Sequence, residues 1–81
     1  MKRAFVLVSI KIGLEEEVQK QIRNLKFVKE THRVLGIYDA IATLEFETAE
    51  DLTNVMVKIR EIEGVEATTT MPVESGFTKE I

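Results

Sequence analysis

The chain contains no cysteine, so neither a disulfide nor a thiolate metal site can staple it. It has one histidine, His32. The sequence fixes no nucleophile or acidic partner beside that imidazole, which leaves little on which to build acid–base or covalent catalysis. His32 is read as a structural or rim residue. An excess of positive charge is also missing: 11 Lys and Arg stand against 14 Asp and Glu, a net charge of -3, and the basic residues are scattered. A nucleic-acid surface needs clustered positive charge, so direct nucleic-acid binding is not expected. The longest apolar run, Ala4 to Val8, is far too short to span a bilayer. Met1-Lys2-Arg3 followed by apolar residues faintly resembles a signal peptide. Lys11 interrupts that run early and no small-residue cleavage site follows, so the chain is expected to be cytoplasmic.

What is present is enough apolar residue for a core. With 81 residues, 44% of them hydrophobic, the chain implies one domain whose core is marginal by itself. Oligomerisation is the expected source of further stability.

Arg3 to Ile12 predicts a first strand, dense in β-branched residues, with Ala4, Val6, Val8, Ile10 and Ile12 on one face. Gly13 ends it. Leu14 to Leu25 predicts a helix, with Leu14, Val18, Ile22 and Leu25 as its apolar stripe. Glu15, Glu16 and Glu17 suit the positive end of the helix dipole. They are read as a solvated helix start rather than a metal site, because consecutive residues point in different directions around a helix. Phe27 to Leu35 predicts a second strand, and its charged residues suit a sheet edge. Ala40 to Glu47 alternates as a third strand. Thr48 is the expected N-cap of a second helix running to about Ile62, with Leu52, Val55, Met56, Ile59 and Ile62 as its stripe. Gly64 is its expected stop. Val65 to Met71 predicts a fourth strand, and Pro72 ends regular pairing. Residues 1–73 are therefore expected to form the domain. Residues 74–81 are a tail, expected to extend along a neighbouring subunit.

The connection Val34-Leu35-Gly36-Ile37-Tyr38-Asp39-Ala40 carries a phenol and a carboxylate where apolar strand residues would be expected. That pair could hold a small polar ligand. The plainer alternative is that Asp39 closes the turn on backbone N–H groups and Tyr38 covers the sheet end. Thr68, Thr69 and Thr70 either reflect β-propensity or present hydroxyls to a carboxylate or amide.

A weak internal repeat relates Ile22 to Thr31 with Ile59 to Thr68, each a helix end feeding a strand. Two β-α-β units in so short a chain predict an α+β fold, the ferredoxin-like βαββαβ sandwich. It has a four-stranded antiparallel sheet with two helices on one face. The other face would carry Phe5, Leu7 and Ile41, which predicts a dimer formed sheet against sheet.

The order strand, helix, strand, Gly36-Ile37-Tyr38-Asp39, strand, helix, Gly64-Val65, then Thr68-Thr69-Thr70, covers residues 3 to 73. It resembles the effector-binding domain of the leucine-responsive regulatory protein/AsnC (Lrp/AsnC) family. That domain is also called the RAM domain, for regulation of amino acid metabolism. No helix-turn-helix precedes the first strand here, so the resemblance is to stand-alone effector domains. It implies a non-enzymatic amino-acid-sensing and oligomerisation module without cofactor or metal. Its dimers would assemble to octamers or decamers and modulate transcription or amino-acid metabolism through partners such as full-length relatives. Leu35, Gly36, Ile37, Tyr38, Asp39, Thr68, Thr69 and Thr70 would line the ligand site between dimers, with Asp39 on the ligand ammonium. Two other readings stay open: a small enzyme of the dimeric α+β barrel type leaning on His32, and a purely structural oligomerisation module.

Overall fold

The computed structural model describes residues 1–76. Six elements follow the order β1 (Lys2–Ile10), α1 (Glu15–Arg23), β2 (Val28–Arg33), β3 (Ala40–Phe46), α2 (Ala49–Glu61) and β4 (Val65–Pro72). The strands form one antiparallel sheet in the order β2-β3-β1-β4. Each β-α-β unit is therefore split by a strand of the other, the ferredoxin-like arrangement expected.

Alternation decides what the sheet buries. Ala4, Val6, Val8 and Ile10 of β1 interleave with Ala40, Ala42, Leu44 and Phe46 of β3 on one face. Val18 and Ile22 of α1 and Val55, Met56 and Ile59 of α2 cover that face, and these residues, with Ile62, form the core cluster. Met56 is core filler, as its helical spacing predicted. On the other face Phe5, Leu7 and Ile41 are only half-buried. Among the described residues no helix is long and apolar enough to cross a membrane.

Element ends differ from the sequence reading for identifiable reasons. β1 stops at Ile10, not Ile12, because its pairing with β4 slips between Ser9 and Ile10, and Ile12 is exposed. α1 begins at Glu15, since Leu14 is its N-cap, with φ -108° and ψ 9° outside the helical region. β2 runs from Val28 to Arg33 rather than Phe27 to Leu35, because Phe27 has φ +77° and Leu35 lies in the loop. β3 ends at Phe46, one residue before Glu47, and Pro72 still pairs as the last residue of β4. α2 starts as predicted: the Asp51 N–H donates to Thr48 Oγ1 at 3.1 Å and the Thr48 N–H to Asp51 Oδ2 at 3.2 Å, a reciprocal capping box.

The internal repeat has a structural counterpart. Phe27 and Gly64 occupy matching places after α1 and α2, and both have positive φ, +77° and +104°. Each turns its carbonyl onto a neighbouring segment: Phe27 accepts from the Glu45 N–H at 2.9 Å and Gly64 from the Lys11 N–H at 2.8 Å. At residue 64 a Cβ would meet Val18 Cγ2 at 2.9 Å and Leu14 Cδ1 at 3.0 Å, so α1 packs directly over this glycine. At the start of the tail, the Val73 N–H donates to the Arg3 carbonyl at 2.8 Å. The expected contact of the tail with a neighbouring subunit falls largely on residues 77–81, outside the described residues.

Candidate functional site

The β2–β3 connection is pinned at its root and open at its tip. The Val34 N–H donates to the Asp39 carbonyl at 3.1 Å, and the Asp39 N–H donates to the Val8 carbonyl at 2.9 Å. Asp39 Oδ2 accepts from the Ile10 N–H at 2.7 Å. One oxygen of Asp39 thus satisfies a backbone donor where β1 pairing ends, which is the turn-closing role seen as the plainer alternative. Removing it would strand a part-buried N–H, at a cost of about 1–3 kcal/mol.

Tyr38 reaches across the sheet. Its hydroxyl lies 2.6 Å from Thr69 Oγ1 on β4, although β1 stands between β3 and β4. Gly36 has φ +138°, a conformation that favours glycine, and a Cβ there would meet nothing within 4 Å. Glycine is therefore needed at this position for its backbone angle, not for close approach within the chain. Leu35 and Ile37 flank it and are fully exposed.

The three threonines divide between the two faces. Cross-strand pairs share a face, and Thr69 pairs with Leu7 on the open side, whereas Thr68 and Thr70 pair with Val8 and Val6 on the helix side. The Thr70 hydroxyl donates to Met56 Sδ at 3.4 Å. Thr68 Oγ1 accepts from Arg60 Nε at 3.4 Å. Within one chain, then, the structure joins Tyr38 to Thr69 and sets Thr68 and Thr70 apart from them. Two groups were missed in the sequence. The Ile10 N–H has no signature because backbone donors have none. Arg60 stands in the last turn of α2, eight residues before Thr68, and only the return of β4 beside α2 brings the two together.

His32 is exposed on edge strand β2, with Nε2 3.4 Å from Glu30 Oε2. Nothing in that position encloses a reacting group.

Comparison with known proteins gives this geometry its family. Residues 3–79 match the family model described as the Lrp/AsnC ligand binding domain. The HTH-type transcriptional regulator FL11 of Pyrococcus furiosus is 33% identical over 70 residues, 86% of this chain and 46% of that protein. The chain thus spans about half the length of the curated relatives it matches. The crystal structure of TTHA0845 from Thermus thermophilus superposes with a TM-score of 0.92 at 30% identity, covering 98% of this chain and 100% of that one. The complex of the transcriptional regulator NMB0573 from Neisseria meningitidis with L-Met shares the fold. Its TM-score is 0.86 at 17% identity, covering 96% of this chain and 53% of that one. The fold and the match over residues 3–79 agree, and the chain belongs to the Lrp/AsnC ligand-binding domain family.

Proposed function

We propose that this domain senses a free amino acid by binding it between subunits, without chemical turnover, and passes the signal to partners rather than to DNA. The observation that carries this reading is the connection itself. Leu35 and Ile37 stand fully exposed on a loop whose root is fixed by Asp39 and Tyr38. Two large apolar side chains held in water on a pinned loop are what a second subunit would cover.

Asp39 Oδ2 is taken by the Ile10 N–H, which leaves Oδ1 for a ligand ammonium. The contact would be charge-assisted and stronger than a neutral one. The Tyr38 and Thr69 hydroxyls, already paired, form a rim to the same site. Leu35, Gly36 and Ile37 would supply backbone groups and apolar cover. Thr68 and Thr70 would join only from a neighbouring subunit, since they face the helices of their own. The NMB0573–L-Met complex supports an amino acid as the class of ligand on this fold. Half-buried Phe5, Leu7 and Ile41 support a dimer through the open sheet face. Dimers would then close into an octamer or decamer, either alone or mixed with longer regulators of the family. The chain's net negative charge fits a cytoplasmic protein that acts on partners.

The test is a thermal-shift screen of the twenty L-amino acids, run on the parent and on Asp39→Asn. The asparagine keeps an oxygen for the Ile10 N–H and replaces the other, with its charge, by an NH2 donor that cannot accept from an ammonium. At a ligand concentration 100 times the dissociation constant the parent should gain about 2.7 kcal/mol in apparent stability. That gain should be lost or much reduced in Asp39→Asn. An equal gain in both proteins would refute the assignment of Asp39, and no gain with any amino acid would refute the sensing reading.

A further inference from the structure

The pairing register puts the one histidine of the chain on the open side of the sheet. Cross-strand pairs share a face, and His32 pairs with Ile41, Ile41 with Leu7, and Leu7 with Thr69. His32, Ile41, Leu7 and Thr69 therefore form one row across all four strands. Its two central members are half-buried apolar residues of the face proposed to meet a second subunit. Beside the row is a hollow of about 320 Å³, lined by Arg3, Phe5, Lys29, Glu30, Thr43 and Glu45. Its two cations stand against two carboxylates. Lys29 Nζ lies 3.8 Å from Glu45 Oε1, Arg3 pairs with Glu45 across the strands, and Glu30 Oε2 lies 3.4 Å from His32 Nε2.

The other charged groups around His32 lie elsewhere. α1 packs against β2 from the opposite side, where Gln19 Nε2 donates to Thr31 Oγ1 at 3.3 Å, so its Glu15, Glu16, Glu17, Lys20 and Arg23 belong to the helix layer. Arg33 pairs with buried Ala40 and shares that side. In the β2–β3 connection Asp39 is bonded to the Ile10 N–H, and the Tyr38 hydroxyl to Thr69. The one charge of β4, Glu66, stands at the slip in its pairing with β1, three strands from β2 in the sheet order. Glu74 lines a different hollow with Met1, Lys2 and Arg3.

We propose that His32 makes association through this face proton-sensitive, so that protonating the imidazole loosens the dimer. This rests on the sheet-against-sheet dimer proposed above. Histidine is the side chain whose ordinary charge change falls between about pH 5 and 8. Neutral, it leaves the two cations of the face matched by two carboxylates; protonated, it adds a cation that no further carboxylate matches. A twofold contact sets this face against its own copy, so each added charge meets the same addition on the partner. Covering the imidazolium also costs part of its hydration. Both effects act on the dimer and not on separated chains, so separated chains hold the proton better. Linkage then gives the sign: the contact is firm above the imidazole range and is lost progressively as pH falls through it.

Sedimentation equilibrium of the parent and of His32→Gln, from about pH 7.5 to about pH 5.5 at constant ionic strength, reads the dissociation constant of the dimer at each pH. Glutamine stays neutral throughout. The parent's constant should rise by about tenfold or more on acidification, and that of His32→Gln should stay level. His32 is exposed in the single chain, and circular dichroism of both proteins at each pH separates loosening from unfolding. A parent constant that stays level, falls with acid, or rises equally in His32→Gln overturns the proposal and leaves the dimer standing. A parent that is a monomer at every pH removes the dimer itself, and the proposal with it.

Discussion

Gly36 and Gly64 look alike in the sequence and are constrained differently in the fold. Gly36 is fixed by φ +138° alone, since no atom lies within 4 Å of where its Cβ would stand. Gly64 combines φ +104° with Val18 Cγ2 at 2.9 Å and Leu14 Cδ1 at 3.0 Å. Gly36→Ala should therefore cost only backbone strain, about 1–2 kcal/mol. Gly64→Ala should add a steric clash with α1 and cost about 2–4 kcal/mol. Urea denaturation of the two variants checks the order, and equal losses would mean that α1 does not bear on residue 64. Phe27 holds the matching position in the first half of the chain at φ +77°. A bulky side chain there is strained, and its ring packs against the core while its carbonyl bonds Glu45. The repeat aligns Phe27 with Gly64, but the aromatic side chain argues for strand, so the sequence reading placed Phe27 in β2.

The two helices start in different ways. α2 has a reciprocal capping box between Thr48 and Asp51, and α1 begins at Leu14 with no side-chain cap bond, Glu15 Oε1 instead accepting from the Gly13 N–H at 2.7 Å. Thr48→Ala should lower stability by about 1 kcal/mol, measured as a shifted urea midpoint at constant slope. A change within error would mean that solvent replaces the cap. The strands differ as well. β2 carries Lys29, Glu30, His32 and Arg33 along one edge of the sheet, which discourages stray pairing there. β4 forms the other edge with Thr68, Thr69 and Thr70 and a single charge, Glu66, so only Pro72 guards it. A sparsely charged edge is free to accept a strand, and Thr69 lies on it.

One face of the sheet has both helices, and among the described residues no helix covers the other. Phe5, Leu7 and Ile41 lie there beside Thr43 and Glu45, half-buried rather than buried. If this face is the dimer contact, Leu7→Asp places an unpaired carboxylate in it, at a cost of several kcal/mol. Light scattering should then give a multiple of 9.2 kDa for the parent and a smaller assembly for Leu7→Asp. A parent mass near 9.2 kDa would remove the interface, and with it the ligand site between subunits.

Periodicity carried the fold. The even residues of β1, the alternation of β3 and the stripes of both helices specify which faces meet, because burial selects residues at fixed spacing. Thr48 and Gly64 marked α2's ends by local chemistry that needs no distant partner. The connection at Gly36 was also visible, as a glycine followed by two polar residues between strands. What pairs with what across the sheet was not. The Tyr38–Thr69 bond spans 31 positions and the Asp39–Ile10 bond 29, and both depend on a strand order that sets β1 beside β3 and β4 on the far side of β1. For the same reason three adjacent threonines with identical propensity part company: the pleat sends Thr69 to the open face and Thr68 and Thr70 toward the helices. Arg60 meets Thr68 because β4 folds back along α2, a contact between two segments that neither segment encodes alone.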